Sequence, residues 1–309
     1  MKLVVIGSSN MDLVISLPRI PAIGETVLGG KSNMVFGGKG ANQAVASKRC
    51  GGHVSFIAKV GNDIFGENMK KHFLKEGFNS DHILTDEEEA TGIAQIFVSE
   101  KGENSIAVAP GANMKLIPED LEAYIELIKE AHVILLQLES PIETVEYIAD
   151  LVFQSGTKLI LNPAPAQKLS ESLLEKVWLL TPNETEASLL TGIDVIDQIS
   201  AQQAAEHLLK MGVKNVIITL GENGSLLSNP ETVEHFPAFK VTAKDTTAAG
   251  DVFNGTLAAS ITNGKSLQDA ISFASAAASI SVTREGAQSS IPTQSEIEFF
   301  LQKHQKQRT

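Results

Sequence analysis

Short, continuous apolar runs recur along the chain and predict buried strands. Because these runs do not alternate with polar residues, they are typical of strands covered on both faces of a parallel sheet. The predicted strands are Leu3–Gly7, His53–Val60, His132–Leu138, Leu159–Asn162, Val177–Leu180 and Val216–Leu220.

Between and after the strands, apolar residues recur with the period of helices that pack one face on a core. The predicted helices are Ala41–Arg49, Asn68–Glu76, Pro118–Ala131, Ile142–Gln154, Glu184–Leu190, Ala201–Met211, Gly250–Thr262 and Leu267–Thr283. This alternation predicts an α/β fold with a Rossmann-like, mostly parallel sheet flanked by helices on both faces. Ligands of such sheets bind beyond the carboxyl ends of the strands, so we expect site residues there.

Two segments interrupt the alternation and predict short strands outside the main sheet. Leu13–Leu17 with Thr26–Phe36 form one strand pair, and Ile93–Val98 with Ser105–Ala109 form another across a Gly/Asn turn. We expect insertions at about residues 13–36 and 91–110 to form a small β-sheet lid on one domain that spans residues 1–309. The polar residues from 303 to 309 are expected to form a tail.

Composition narrows the function classes. The 25 Lys and Arg residues against 37 Asp and Glu give a net charge of −12, which opposes a nucleic-acid partner. The single cysteine, Cys50, indicates no disulfide framework and favours the cytoplasm. The apolar start, Leu3–Ile6, is too short for a signal peptide, and no apolar run, including Ile271–Val282, reaches the length of a membrane span.

Familiar phosphate-binding loops are missing. Both GKS triplets, at Gly30 and Gly264, lack the first glycine of a Walker loop, since Glu25 and Ala259 stand at that position. No GxGxxG motif follows the first strand, because Gly7 leads into Ser-Ser-Asn, and this disfavours a dehydrogenase.

The strongest chemical signal is the segment Asp245–Asp251, which leads into an apolar helix. Small residues at Ala248, Ala249 and Gly250 would let backbone N–H groups approach an anion at the positive end of the helix dipole. Asp251 could accept a proton from an attacking hydroxyl in the same space. The alternative is that Asp251 only caps the helix, but a run of Ala-Ala-Gly serves no capping purpose, which favours the catalytic interpretation.

At these residues the chain resembles the ribokinase family of sugar kinases. The segments that carry the resemblance are Gly38–Ala44, Leu136–Pro141, Asn162–Ala166, Thr181–Glu186 and Asp245–Phe253. The five segments occur in register, and the resemblance extends over essentially the whole length of the chain. The resemblance implies a ribokinase-like fold and transfer of the γ-phosphate of ATP to the O5 hydroxyl of D-ribose, with Asp251 as base and Ala248, Ala249 and Gly250 as the anion hole.

The resemblance also implies the sugar contacts. They are Asn10, Asp12, Gly38, Lys39, Asn42, Glu139 and Asp251. A pentose presents only hydroxyl groups, so short polar side chains that donate and accept hydrogen bonds suit it. The alternatives are an Asx turn for Asn10 and Asp12 and a solvated charge for Lys39.

For the nucleotide, the resemblance implies contacts from Asn183, Glu186, Thr219, Gly221, Gly224, Gly250 and Ser275, with Mg²⁺ near Asn183 and Glu186. Relatives often place a histidine beside the adenine where this chain has Ser275. Asn183 and Glu186 could equally form a capping box, and both roles can hold at once.

The resemblance further implies a monovalent cation, usually K⁺. The matching positions are Asp245, Thr247, Ser281, Arg284, Gly286 and Ser290. The alternative is an ordinary loop after a long helix.

Two alternatives stand against phosphorylation of ribose: a different sugar, and a protein without catalytic activity. The sugar could be 2-deoxyribose, another pentose or a nucleoside, since Met11 places apolar bulk near the sugar pocket. A non-catalytic sugar or nucleotide sensor is disfavoured because Gly250 and Asp251 are both present. The expected partners are ribose, ATP and a second copy of the chain, which would pair through the β lid because edge strands need cover.

Overall fold

The computed structural model describes residues 1–306. Its strands are β1 (Leu3–Ile6), β2 (Asn10–Leu17), β3 (Ser32–Gly37), β4 (Val54–Gly61), β5 (Ile83–Asp86), β6 (Gly92–Ser99), β7 (Asn104–Ala109), β8 (Val133–Leu136), β9 (Lys158–Leu161), β10 (Leu179–Leu180), β11 (Asn215–Thr219), β12 (Ser225–Ser228) and β13 (Val233–Phe236). The helices are α1 (Lys39–Arg49), α2 (Ile64–Lys75), α3 (Ile125–Lys129), α4 (Ile142–Phe153), α5 (Glu171–Leu174), α6 (Glu184–Thr191), α7 (Gln198–Lys210), α8 (Ala249–Thr262), α9 (Leu267–Ser281) and α10 (Gln294–Lys306).

Nine strands form the main sheet, in the order β13-β12-β11-β10-β9-β8-β1-β4-β5. The strands from β11 to β5 run parallel, and β12 and β13 add an antiparallel edge. The predicted α/β fold is thereby confirmed. A parallel sheet places the ends of β1, β8, β9, β10 and β11 at one edge, where polar residues follow each of these strands.

Apolar burial on both faces explains why the central strands read as continuous apolar runs. In β1, Leu3 and Val5 pack into one hydrophobic cluster with α1, α2, α8, α9 and α10. Val4 and Ile6 point the other way, into a second cluster with α3, α4, α5, α6 and α7. Successive side chains of a strand alternate between the faces of the sheet, so both must be apolar when helices cover both faces.

The small sheet consists of β3, β2, β6 and β7 in that order. Strands β2 and β3 pair antiparallel, and so do β6 and β7, as expected for the two predicted strand pairs. The two pairs are joined into one sheet by parallel pairing of β2 with β6. Strand β2 begins at Asn10 rather than Leu13, and β3 covers only Ser32–Gly37 of the predicted Thr26–Phe36 strand. The Pro- and Gly-rich segment between these strands cannot supply a continuous ladder of hydrogen bonds.

Other differences have local causes. The helix predicted for Pro118–Ala131 is a 3-10 helix over Pro118–Tyr124 followed by the short α3. Helix α10, which the sequence analysis did not predict, buries Ile297 on the first cluster and runs to Lys306. The expected polar tail from residue 303 therefore starts within a helix, and its last three residues lie outside the described residues.

None of the helices within residues 1–306 combines the length and the apolar character that a membrane crossing requires.

Helices α1 and α8 cross closely, and Gly255 permits this contact. A Cβ atom at Gly255 would stand 2.8 Å from Ala46 Cβ and would overlap the carbonyl oxygen of Gln43. Ser47 Oγ lies 2.8 Å from the carbonyl oxygens of both Gln43 and Gly255, and so joins the two backbones. The crossing places the first turn of α8, with Asp251, against Asn42 and Gln43.

We predict that Gly255→Ala destabilises the protein by about 1–3 kcal/mol, because the added methyl group forces α1 and α8 apart. Chemical denaturation followed by circular dichroism measures the free energy of unfolding. Gly30→Ala is a matched control, because the nearest atom to its Cβ is the Ser16 oxygen at 3.7 Å, and we expect a change within about 0.5 kcal/mol. Equal stability of Gly255→Ala and the parent would contradict the close crossing.

Candidate active site

A cavity of about 220 Å³ lies at the carboxyl edge of the main sheet. Its walls include Ala248–Asp251 at the start of α8, the side chain of Lys39 from α1, Asn183 and Glu186 from the start of α6, and Thr219 at the end of β11. The topology therefore brings together residues that lie far apart in the sequence, at the edge where ligands of parallel sheets bind.

The start of α8 presents backbone N–H groups to this cavity. Ala248 has a φ of 59°, and among the described residues it is the non-glycine residue with a left-handed backbone. Such strain is often found at functional sites. The Ala249 N–H donates to the Thr246 carbonyl at 3.2 Å, whereas the N–H groups of Ala248 and Gly250 have no acceptor within residues 1–306.

The three N–H groups that were predicted to form an anion hole differ in their hydrogen bonds. The sequence analysis assigned Ala248, Ala249 and Gly250 to it, but the Ala249 N–H is used to close the turn before α8. A Cβ atom at Gly250 would meet no atom within 4 Å, so the space in front of this residue is open. The remaining N–H groups and this open space fit an anion at the positive end of the helix dipole.

Asp251 lies beside these amides and is 7% exposed. Its two carboxylate oxygens accept hydrogen bonds from Asn42 Nδ2 and Gln43 Nε2, each at 3.0 Å. Burial raises the pKa of Asp251 above its ordinary value, while Lys39 and the two amide donors act to lower it. A carboxylate with a raised pKa is a stronger base than a free aspartate, and this property suits proton abstraction near neutral pH.

Lys39 carries a positive charge into the cavity. Burial acts to lower the pKa of its ammonium group, but the charges of Asp251, Glu139 and Glu186 outweigh burial and raise that pKa. The side chain therefore remains charged at neutral pH. Since Lys39 lines the same cavity as Ala248 and Gly250, it can neutralise an anion held there.

Asp12 stands at the beginning of the small sheet and faces the same group of charges. Burial first, and then the charges of Glu139 and Asp251, raise its pKa from 3.8 to about 7. The carboxylate lies directly against Gly37, which leaves no room for a Cβ there. Within residues 1–306 the Asp12 carboxyl forms no ion pair and accepts no hydrogen bond, and a ligand that supplies hydroxyl donors would satisfy this buried group.

Asn10 and Asn42 are the other polar groups expected at the sugar. Asn10 Oδ1 accepts a hydrogen bond from Asn113 Nδ2 at 2.7 Å, which fixes the orientation of the Asn10 amide. Asn42 Oδ1 is buried and has no hydrogen-bond partner within the described residues. A buried acceptor without a donor fits a ligand hydroxyl.

Glu139 and Gly38 shape the start of α1. Glu139 Oε2 accepts hydrogen bonds from the Lys39 N–H at 3.0 Å and from Ser8 Oγ at 2.5 Å, so it binds the positive end of the α1 dipole. Gly38 has a φ of 89°, and a Cβ there would stand 2.7 Å from the Asn10 N atom. Only glycine permits this approach of the α1 N-terminus to Ser9 and Asn10, at the start of β2.

At the start of α6, Asn183 and Glu186 form a capping box, and they are also the residues expected to contact the nucleotide. Asn183 Oδ1 accepts from the Glu186 N–H at 2.8 Å, and Glu186 Oε2 accepts from the Asn183 N–H at 2.9 Å. Glu186 Oε1 also accepts from Asn183 Nδ2 at 3.1 Å. Both side chains still line the cavity, and burial raises the pKa of Glu186.

The other expected nucleotide contacts are more dispersed. Thr219 lines the cavity. Gly221 and Gly224, with φ values of 53° and 94°, form the turn between β11 and β12. Ser275 is half-buried on α9 and does not reach the cavity wall.

The residues expected at a monovalent cation lie on two loops that Asp245 joins. Asp245 Oδ1 accepts from the Thr247 N–H at 2.9 Å, and Oδ2 accepts from the Gly286 N–H at 2.8 Å. Ser281 and Ser290 are buried, and the Ser290 carbonyl accepts a long hydrogen bond of 3.4 Å from Arg284. Asp245 therefore connects the segment that precedes α8 to the loop that follows α9.

Four polar residues around the site were not predicted from the sequence. Asn113 orients Asn10, and Gln43 holds Asp251. Asn162 and Asn254 lie on the cavity wall, where Asn254 Nδ2 donates to the Gly250 carbonyl at 2.9 Å. The only local signals are that Gln43 lies in the Gly38–Ala44 segment and that Asn162 ends a predicted strand.

We predict that Asp12→Asn stabilises the ligand-free protein, and more so at high pH. Between about pH 4 and pH 7 the unfolded chain releases the Asp12 proton while the folded chain keeps it, so the free energy of unfolding falls as the pH rises through this range. Above pH 7 the folded chain bears the full cost of a buried, ionised carboxylate. The gain in the free energy of unfolding at pH 8 should exceed that at pH 5 by on the order of 2 kcal/mol. Denaturant titrations at both pH values measure this difference.

Asp63→Asn is the control with the opposite sign. Burial acts to raise the pKa of Asp63, but hydrogen bonds from Gly66 and Thr91 outweigh it and lower that pKa. Its carboxylate therefore stabilises the fold above the unfolded pKa, and this contribution is lost as the pH falls. We expect Asp63→Asn to lose more stability at pH 8 than in acid, and the same pH trend in both variants would refute the assignment for Asp12.

Comparison with known proteins identifies the family. The family described as pfkB family carbohydrate kinase matches residues 1–294. Ribokinase of Haemophilus influenzae is 46% identical over 300 residues, which cover 97% of this chain and 98% of that protein. Deoxyribokinase of Salmonella typhi is 38% identical over 304 residues, with 97% and 99% covered. The structure of Arabidopsis thaliana ribokinase complexed with ribose and ATP is similar with a TM-score of 0.91 at 33% identity, with 97% and 98% covered. The chain therefore belongs to the pfkB family of carbohydrate kinases.

Proposed function

We propose that this carbohydrate kinase transfers the γ-phosphate of ATP to the O5 hydroxyl of D-ribose and forms ribose 5-phosphate. One arrangement carries the proposal: the buried Asp251 carboxylate lies beside both the N–H groups at the start of α8 and the amide of Asn42. The ribokinase of Haemophilus influenzae and the ribose and ATP complex of the Arabidopsis thaliana ribokinase support the choice of sugar and nucleotide.

In this reaction Asp251 accepts the proton of the sugar hydroxyl as the oxygen bonds to phosphorus. A primary alcohol does not ionise near pH 7, so a positioned base contributes about 10²–10⁴ in rate. The N–H groups of Ala248 and Gly250, together with the Lys39 ammonium, stabilise the charge on the transferred group. Asn10, Asp12, Asn42 and Glu139 would hold the sugar hydroxyls, with Gly38 allowing their close approach.

Asn183 and Glu186 fit a hydrated magnesium ion. Each Glu186 oxygen already accepts a hydrogen bond from Asn183, so these side chains suit the water shell of the ion better than direct ligation. No group of three or more His, Cys, Asp and Glu side chains within residues 1–306 could hold a metal by itself. When bound, Mg²⁺ supplies charge neutralisation to the ATP phosphates, which would also lie near Thr219, Gly221, Gly224 and Ser275.

The two loops joined by Asp245 fit a monovalent cation such as K⁺. Within residues 1–306, the carbonyl oxygens of Thr247, Arg284 and Gly286 accept no hydrogen bond, whereas those of Ser281 and Ser290 accept from Arg284. Oxygen ligands of this kind suit a large ion of single charge. Such an ion would supply charge that supports the α8 N-terminus, while Asp245 keeps the loops together.

We also propose that the chain is one kinase domain, that the small sheet serves as its lid, and that a second copy of the chain covers the exposed face of this sheet. Every residue of β7, an edge strand, is exposed, and Ile106 and Val108 present apolar side chains on one of its faces. Met34 is exposed on β3, at the other edge of the sheet. An uncovered apolar edge is a liability that pairing removes. The lone, buried Cys50 supports a reducing location, the cytoplasm.

We predict that Asp251→Ala lowers kcat for ribose phosphorylation by about 10²–10⁴, because the base is lost while the anion site remains. A coupled assay for ADP formation measures kcat, and calorimetry measures ribose binding. Binding of ribose within about tenfold of the parent would show that the pocket is intact. An Asp251→Ala protein that folds, binds ribose and turns over at the parent rate would overturn the mechanism.

A kinase for 2-deoxyribose is the second candidate, because deoxyribokinase of Salmonella typhi is also 38% identical and the buried Met11 lies between Asn10 and Asp12. We expect ribose to have a kcat/KM at least tenfold above that of 2-deoxyribose, since a site built for a hydroxyl leaves buried polar groups unpaired without it. A sugar panel with and without K⁺ measures both this ratio and activation by the cation. Preference for deoxyribose would replace the ribose assignment.

A further inference from the structure

Gln43 contacts the catalytic carboxylate from outside the cavity. Its side chain is completely buried, and its Nε2 donates to Asp251 Oδ1 at 3.0 Å. The neighbouring Asn42 donates to the other oxygen and is among the sugar contacts that the family resemblance implies. Gln43 is not among those contacts, and it is 0% exposed whereas Asn42 is 5% exposed, so Gln43 has no accessible surface to offer a ligand.

The amide of Gln43 has a fixed direction. Gln137 Nε2 donates to Gln43 Oε1 at 2.7 Å, while Gln137 Oε1 has no partner within the described residues, so the direction of the Gln43 amide is set by the acceptors of its nitrogen. The nitrogen of Gln43 then faces Asp251 and also donates to Asn162 Oδ1 at 2.9 Å. If the amide of Gln43 were reversed, its oxygen would face two acceptors, and both hydrogen bonds from its nitrogen would be lost.

The ends of the main strands hold this chain of amides in place. Gln137 follows β8 directly and is 1% exposed, and Asn162 follows β9 and is 6% exposed. Asn162 Nδ2 donates to the Thr181 carbonyl at the end of β10, at 3.1 Å. Three adjacent strands therefore fix the position of Gln43, which in turn contacts the first turn of α8.

We infer that Gln43 is a positioning residue, which orients the Asp251 carboxylate and stabilises its ionised form through the buried chain from Gln137 to Gln43 to Asp251. The inference rests on the proposed role of Asp251 as base. Gln43 donates to Asp251 Oδ1 from the side of the main sheet, and this hydrogen bond fixes the plane of the Asp251 carboxylate relative to the α8 N-terminus. Precise placement of a base has a large effect on rate, whereas Gln43 itself touches no substrate.

Other charges also face Asp251, and they set the background against which the effect must be measured. Lys39 from α1 favours the ionised carboxylate. Glu139 after β8, Asp12 from β2 and Glu186 from α6 disfavour it by like-charge repulsion. None of these groups changes when Gln43 is replaced by a neutral side chain of similar length, so such a variant isolates the amide donor.

The test is Gln43→Met, which keeps the length of the side chain and removes both its donor and its acceptor. We expect kcat to fall about 10- to 100-fold with a change in ribose KM below about threefold. The acid limb of the kcat–pH profile should move up by about one unit, because one hydrogen bond to the ionised carboxylate is lost. Gln137→Met removes the hydrogen bond that Gln43 Oε1 accepts, so we expect a smaller change in the same direction.

Asn215→Leu is the matched control, because it also removes a buried amide from the main sheet. Asn215 begins β11 and donates to the Trp178 carbonyl at 2.9 Å, far along the chain from the amides around Asp251. A merely structural role predicts that both variants lose stability and that neither moves the pH profile. We expect only the Gln43 and Gln137 variants to move it.

The possible outcomes separate this inference from the proposed function. If Asp251→Ala is inactive but Gln43→Met keeps the parent kcat and pH profile, the positioning role of Gln43 is wrong and the role of Asp251 stands. If Asp251→Ala is fully active, the role of Asp251 as base fails and this inference fails with it, whereas a parent protein that does not phosphorylate ribose would refute the proposed function. If Gln43→Met does not fold, Gln137→Met decides, and an unchanged pH profile in that variant overturns the inference.

Discussion

Negative charge is buried at the carboxyl edge of the sheet, and the arrangement of the site depends on how the chain stabilises it. Asp12 and Asp251 are both removed from water, and Glu139 adds to the repulsion that each experiences. Coulomb interactions are stronger there than in bulk water, because the surrounding protein has a lower effective dielectric constant. The opposing groups are the Lys39 ammonium and a few amide donors. Such an edge is unfavourable for stability until hydroxyl ligands arrive, which is the usual relation between stability and activity at a functional site.

Close backbone approaches make this concentration of charge possible. Gly38 lets α1 begin directly against Ser9 and Asn10 at the start of β2, and Gly255 lets α8 cross α1 near Gln43. The two helices therefore meet with their N-terminal turns near one cavity, so two helix dipoles favour negative charge there. Glu139 occupies the end of the α1 dipole, at 3.0 Å from the Lys39 N–H, whereas the N-terminus of α8 stays open to the cavity. One helix end thus holds a resident carboxylate, and the other is free for a ligand.

The sequence predicted the main sheet well because its information is local. Each central strand is a continuous apolar run, as in Leu3–Ile6, and the residues after the strands are polar because they meet at the ligand edge. The parallel pairing of β2 with β6 was not predictable, since it joins Asn10 to Gly92 across a segment that contains β3, α1, β4, α2 and β5, and no local pattern encodes such a register. Helix α10 was missed because its polar face resembles a solvated tail, although Ile297 is fully buried.

For the site, the sequence located the groups that carry charge and missed those that orient them. Asp251 and Lys39 stand in recognisable segments, but Asn113 acts on Asn10 across 103 positions of the chain. Which side chains donate hydrogen bonds in a buried network depends on which groups the tertiary fold brings together. The Ala249 N–H shows the same limit, because only the turn geometry of Ala248 decides which amides are free.

The net charge of −12 makes local electrostatics decisive for an anionic substrate. A strongly acidic protein does not steer a nucleotide towards itself, so favourable interactions must arise within a few ångströms of the phosphates, where screening by salt is weak. The N–H groups of Ala248 and Gly250 and the Lys39 ammonium meet that requirement because they all face one cavity of about 220 Å³. The left-handed backbone at Ala248 then has a physical explanation. It turns the chain so that helix α8 begins with N–H groups that no side chain caps, and the strain at this residue is the cost of an anion site that does not depend on the charge of the whole protein.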